Sequence, residues 1–352
     1  MRAKLAAAVA MLMLVFASPA AAKVHLQFHG QAIVPTGTTF EGTTVGGLSS
    51  ITYDAAQHVY YALSDDPSQF QPVRYYTVGL DVGDGRLTDG DVSFRAVTTM
   101  LDPDGHPYAP FSVDPEGLAL TKDRRLIFTS EGVANNLIDP FVRRYSLGGM
   151  FLSSLPVPEE FLPNAAHTRG VRQNLGFESA GVTRDGRYLF TGTENALVQD
   201  GPAATVANGS PSRLMRYDLR SDRLDRQWIY ETDPVAEPPV PPTQFSVNGL
   251  VELLPLSDHK LLAMERSFSV GAPGTGNTIK LYEVTLRGGH GLRVVHKKLV
   301  LNLNDLGIPL DNVEGLTFGP RLRDRRQTVV LVSDNNFAAT QFTQFLLFTL
   351  KH

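Results

Sequence analysis

Glu116-Gly117-Leu118, then Leu126-Ile127-Phe128-Thr129, then Glu131: an acidic entry into a short apolar strand, a second apolar strand and an acidic exit. The same order recurs four more times. Gly46-Gly47-Leu48 leads to Val59-Tyr60-Tyr61-Ala62-Leu63 and Asp65-Asp66, and Glu178-Ser179-Ala180 leads to Tyr188-Leu189-Phe190-Thr191 and Glu194. Asn248-Gly249-Leu250 leads to Leu261-Leu262-Ala263-Met264 and Glu265-Arg266, and Glu314-Gly315-Leu316 leads to Val329-Val330-Leu331-Val332 and Asp334-Asn335-Asn336. From Gly47 through Gly117, Ser179, Gly249 and Gly315 the intervals are 70, 62, 70 and 66 residues. Repeats of this length read as propeller blades with generous loops.

Each unit also carries a third apolar strand, beginning near Arg74, Val142, Leu214, Ile279 and Phe345, and four carry a weaker fourth one near residues 92–97, 151–157, 226–230 and 292–301. The last unit runs out of chain before a fourth strand, and Val24-His25-Leu26-Gln27-Phe28 is the segment expected to supply it. Such pairing closes the ring and removes edge strands open to aggregation. The expected architecture is therefore all-β, a single propeller of five four-stranded blades over residues 23–352. Six blades are the alternative count, and two stacked sandwiches the rival architecture; no interval is long enough for two blades, and sandwiches need no repeated acidic strand end. At Gly117 the repeat expects a turn whose backbone angles a branched residue resists.

Residues 1–22 are expected to be a signal peptide. Arg2 and Lys4 precede an apolar run over residues 5–17, and Ser18-Pro19-Ala20-Ala21-Ala22 supplies the small residues of a cleavage site. That run is shorter than the roughly 20 residues that span a bilayer, so no transmembrane anchor is expected, and the product is read as secreted or periplasmic. Without cysteine there is neither disulfide nor thiolate chemistry, and a net charge of −4 with scattered Lys and Arg argues against a nucleic-acid partner. A monomer is expected.

In an up-and-down blade the start of the first strand, the end of the second and the start of the third share one end of the sheet. The repeat therefore gathers residues far apart in sequence at one mouth. Glu116, Glu178, Glu314, Asp65 and Asp334 are the expected metal ligands; Glu131, Glu194 and Arg266 the expected catalytic groups; Arg74, Arg143, Asn248 and Asn335 the expected substrate contacts. Like charges roughly 6 Å apart repel by about 3 kcal/mol at an effective dielectric of about 20, so such a ring needs a cation, arginine partners or protonation. Oxygen-only ligands with no histidine at the repeated positions favour a divalent cation, Ca²⁺ or else Mg²⁺. The expected substrate is a small anionic or ester molecule. Long loops over residues 98–112, 158–175 and 196–212 are the expected lids.

The segments Gly46-Gly47-Leu48-Ser49-Ser50, Asp114-Pro115-Glu116-Gly117-Leu118, Gly176-Phe177-Glu178, Asn248-Gly249-Leu250, Glu265-Arg266, Asn312-Val313-Glu314-Gly315-Leu316 and Ser333-Asp334-Asn335-Asn336-Phe337 resemble, in this order, the phytase-like family described as having esterase-like activity. The resemblance implies an exported β-propeller hydrolase acting on phosphoesters, distantly similar to calcium-dependent propeller phytases. Many of the acids here are Glu, alternating with Asn and Ser, a departure from a dense aspartate-rich calcium site. Three chemistries follow as alternatives: metal-dependent phosphoester hydrolysis; a lactonase similar to the gluconolactonase propellers, with one metal on residues such as Glu116, Asn248 and Asp334; and a binding module without turnover. A serine esterase is disfavoured, because no G-x-S-x-G elbow is present and no histidine sits at a repeated strand end.

Overall fold

Val329-Val330-Leu331-Val332 shows how the chain builds its core. Successive strand residues face opposite sides of a sheet. Val329 and Leu331 accordingly pack with Leu262, Met264 and Leu281 of the preceding unit, while Val330 and Val332 pack with Ile51, Ala62 and Tyr76 of the first. The pattern repeats around the molecule, giving five separate apolar cores, one between each pair of adjacent sheets. A strand buried on both faces must be apolar throughout, which is why the second strands are uninterrupted hydrophobic runs.

The computed structural model describes residues 24–351 except His290. It is a five-bladed β-propeller. Blade I contains Leu48–Asp54, Val59–Ser64, Arg74–Leu80 and Val92–Thr99, and blade II contains Pro115–Leu120, Leu126–Ser130, Phe141–Tyr145 and Phe151–Leu155. Blade III is built from Gly181–Val182, Tyr188–Gly192, Pro211–Asp218 and Arg223–Glu231, and blade IV from Ser246–Pro255, Lys260–Ser269, Asn277–Thr285 and His296–Asn302. Blade V takes Asn312–Arg321, Gln327–Asp334 and Thr343–Lys351, and its outer strand is the N-terminal His25–Val34. That strand pairs antiparallel with Thr343–Lys351 from His25 opposite Lys351 to Val34 opposite Thr343, with a bulge between Phe28 and Gly30. Five blades, and not six, close the ring with the N-terminal strand as expected.

First strands of neighbouring blades pack against one another around the axis and line the central channel. Glycines at the entries permit this approach. Gly47 adopts φ +64°, the left-handed region where a side chain is strained. Gly117 does not; a Cβ there would lie 2.3 Å from Thr129 Oγ1 and 2.8 Å from the backbone of Ser179 in blade III. The requirement at Gly117 is thus close packing of two blades, in place of the expected turn angles.

The expected signal peptide lies outside the described residues. Among the described residues no helix is long and apolar enough to cross a membrane.

Candidate active site at the acidic mouth

Where the first strands begin, the channel opens into a cavity of about 920 Å³. Asp65, Glu116, Glu178, Glu314 and Asp334, the five expected ligands, all line it, together with Glu194 and Arg266. These acids arrive from two positions of the repeat: Glu116, Glu178 and Glu314 from the entries to first strands, Asp65, Glu194 and Asp334 from the exits of second strands. Blade IV breaks the pattern with Asn248 at its entry and Glu265-Arg266 on its second strand, and it is here that the cavity receives its cation.

One carboxylate oxygen each of Glu116, Glu131 and Glu178 lie within 4.8 Å of one another, and so do one each of Asp65, Asp114 and Glu116. Glu116 belongs to both groups. Asp114, not among the expected ligands, sits two residues before Glu116 in Asp114-Pro115-Glu116; a carboxylate at that spacing on the approach to a strand was the available signal. Glu131 Oε1 accepts a hydrogen bond from Gly176 N at 2.5 Å, and Asp334 Oδ1 accepts from Asn336 N at 2.6 Å. Arg266 Nη2 donates to Glu314 Oε1 at 2.8 Å and lies 3.6 Å from Glu194 Oε1.

Three oxygens in this group, Asp65 Oδ1, Glu131 Oε2 and Glu194 Oε1, are out of contact with solvent and accept no hydrogen bond. A buried carboxylate without partners is costly, so it either takes up a proton or meets a cation. Burial, reinforced by neighbouring acids, holds Asp65, Glu116, Glu178 and Asp334 well above the usual carboxylate range. Burial pushes Asp114 up to about 6 and, with Asp114 and Glu194 adding to it, Glu131 up to about 8. Glu194 is raised by burial to about 7 against the pull of Arg266, and Glu314 is likewise raised by burial and drawn down by Arg266. An all-oxygen donor set with orphaned atoms, at a distance fit for sharing, suits a hard divalent cation. The buried cluster could bind a metal ion.

Other expected residues stand elsewhere. Arg74 and Arg143 lie on third strands, two strands out from the axis, so their side chains reach their own blade's neighbours and not the channel, while Asn248 and Asn335 are taken up by hydrogen bonds to neighbouring loops. Arg74 is buried, donates to Asp66 Oδ2 at 2.7 Å and to Thr44 O at 3.0 Å, and does not line the cavity. Arg143 stacks over Phe141 at 3.8 Å and donates to Tyr108 Oη. Asn248 donates to Asp233 O and Glu265 Oε2, away from the cavity wall. Asn335 spends its Oδ1 on Gly47 N and Phe337 N, fastening blade V to blade I.

Of the expected lids, residues 158–175 supply Gln173, Asn174 and Leu175 to the wall and residues 196–212 supply Ala203 and Ala204. None of the cavity wall comes from residues 98–112, where Tyr108 instead packs edge-on against Phe128. The apolar part of the wall was not anticipated as a unit: Phe245, Val247 and Phe268 of blade IV line the same cavity as the acids.

The fold has distant likenesses among solved structures. The Dos1 propeller is 6% identical, with 88% of this chain and 69% of that one covered at a TM-score of 0.38. A thermostable family-43 glycoside hydrolase is 12% identical, with 91% and 93% covered at a TM-score of 0.49. Hydrazine synthase of Kuenenia stuttgartiensis is 11% identical, with 85% and 81% covered at a TM-score of 0.36. No curated protein matches the sequence. One family model does, over residues 43–337: "Phytase-like", described as "Esterase-like activity of phytase".

Proposed function

The chain belongs to the phytase-like family, and on that premise we propose that it is an exported, metal-dependent hydrolase of phosphoesters working at the acidic mouth. The observation that carries this reading is the set of orphaned oxygens on Asp65 and Glu194, in a cavity whose described lining holds seven carboxylates and one arginine, and on Glu131, which lies behind that lining against Glu116 and Glu178. Such an arrangement is unfavourable in an empty protein and becomes favourable around Ca²⁺ or Mg²⁺.

Asp65, Asp114, Glu116, Glu131 and Glu178 would hold the cation. When bound, it would polarise the phosphoryl oxygens and acidify a water molecule. Arg266, pinned by Glu314 and Glu194, presents a fixed guanidinium to a phosphate oxygen and draws charge from it. Glu194 lines the cavity, its Oε1 accepts no hydrogen bond, and its proton affinity is matched to neutral solution, which suits it to take a proton from the attacking water. Glu131 is the less suitable base, since Gly176 N and Glu178 already engage it. Glu314 and Asp334 set the charge around Arg266.

Hydrolysis of p-nitrophenyl phosphate and of δ-valerolactone, each with and without EDTA, tests the proposal. Phosphate release that EDTA abolishes and Ca²⁺ restores is the expected result. Release indifferent to EDTA, or turnover of the lactone alone, would overturn it.

A further inference from the structure

We propose that the substrate of this site is a phosphate monoester of an apolar, preferably aromatic, alcohol, and that polyphosphorylated polyols are excluded. This rests on the phosphoesterase reading and narrows it. The cavity lining is mixed. Beside the acids and Arg266 it contains Leu175, Ala203, Ala204, Phe245, Val247 and Phe268.

Phe245 and Phe268 are the aromatic residues of that lining. Their ring centroids are 6.3 Å apart at an interplanar angle of 39°. Phe245 is 62% exposed although it sits at the cavity, where a large apolar side chain gains nothing from facing water. Phe268, from the second strand of blade IV, follows Arg266 by two residues and so emerges on the same face of its sheet. The arginine that would meet a phosphate and the ring that would meet its alcohol are thereby held at a constant spacing by one strand. Apolar walls with a few convergent polar groups are how small-molecule sites set orientation.

Charge supplies the exclusion. Among the described residues of the lining, Arg266 is the single basic side chain, and Glu314 already pairs with it. A cation shared by Glu116 and its neighbours can balance one phosphate dianion. A ligand with several phosphates would have to place the remainder beside Glu194, Glu314 and Asp334 or on uncharged donors such as Asn174, Thr275, Asn312 and Gln341, none of which balances its charge. Polyanion-binding sites need Lys and Arg in numbers that this mouth lacks.

The test compares kcat/KM of the full chain with Ca²⁺ for 1-naphthyl phosphate, glycerol 2-phosphate and inositol hexakisphosphate, in the unaltered protein and in Phe245→Ala. Because Phe245 is largely exposed, its truncation opens no core. The naphthyl ester should exceed glycerol 2-phosphate by about tenfold or more, inositol hexakisphosphate should be the poorest of the three, and Phe245→Ala should shrink the naphthyl preference by about tenfold through KM. A preference for inositol hexakisphosphate, or parity between the naphthyl and glycerol esters, overturns the inference. Calorimetric titration with phenylphosphonate and methylphosphonate separates it from the phosphoesterase reading. If none of the esters is hydrolysed, that reading fails, and the titration decides this one: tighter phenylphosphonate binding that Phe245→Ala abolishes sustains it, and equal binding of the two phosphonates refutes it.

Discussion

Two clusters of buried charge lie on opposite sides of blade IV, and they are balanced in contrary ways. Between blades III and IV, Asp233 and Glu265 face Lys297, which donates to both at 2.7 and 2.5 Å, and Lys280 donates to Asp233 at 3.3 Å. Tyr230, Tyr282 and Asn248 fill remaining acceptor positions on the same carboxylates. Burial would raise Asp233, but the hydrogen bonds from Lys297 and Tyr282 and the two lysine charges bring it below the usual range. At the mouth, by contrast, carboxylates face one another, share Arg266 and keep orphaned oxygens. Burial alone does not mark a functional acid; an acid whose partners are other acids does. Adjacent residues show the same division. Asp66 accepts from the backbone of Gln69, Phe70 and Gln71 and from Arg74, which makes it a cap on the loop, whereas Asp65 Oδ1 accepts from nothing and faces the cavity.

If the first cluster is structural, breaking it should cost stability and nothing else. Lys297→Met leaves the buried Glu265 without its basic partner, and chemical denaturation should show a loss of about 3–5 kcal/mol. Cation affinity at the mouth should stay the same in that variant; a fall there would merge the two clusters into one. The mouth should respond the other way. Glu178→Gln removes a ligand and a repelling charge together, so it should lower cation affinity and turnover by about 10²-fold while raising the melting temperature of the chelator-treated protein. A lower melting temperature in that variant would mean that Glu178 is a structural acid like Glu265.

The acidity of the medium should separate the clusters as well. For an acid whose folded pKa is raised, stability is fully present below its unfolded pKa and is lost as pH rises through the folded value. Asp114, Glu194 and Glu131, at about 6, 7 and 8, therefore make the cation-free protein lose stability progressively as pH rises from about 4 to about 8. Thermal melts across that window should slope downward without Ca²⁺ and flatten with it. A flat profile in EDTA would show that the acids are already compensated.

How far the sequence carries this reading depends on the kind of residue. Strand order, blade number and closure follow from apolar runs at a regular interval, because a strand buried on both faces has no other way to be written. The mouth acids were legible for the same reason: Glu116, Glu178 and Glu314 occupy one repeated position on the strand nearest the axis, so symmetry alone brings them together. Arg74, Arg143 and Asn248 occupy repeated positions too, yet a repeat says only which end of the blade a residue is on. Which partner it meets depends on loops such as Gln69-Phe70-Gln71, whose backbone donors join Asp66 to Arg74, and on strand distance from the channel. The apolar wall was invisible for a related reason. Phe245 lies in a proline-rich loop outside the repeat, and nothing periodic announces where such a loop folds back.

Isothermal titration of chelator-treated protein with CaCl₂ near pH 7, run in two buffers of different ionisation enthalpy, tests the central claim most directly. Saturable binding that releases protons is the predicted result, because a cation must displace the protons held by these raised carboxylates, and Glu116→Gln should weaken it. Absence of binding, or binding without proton release and indifferent to Glu116→Gln, would contradict the account.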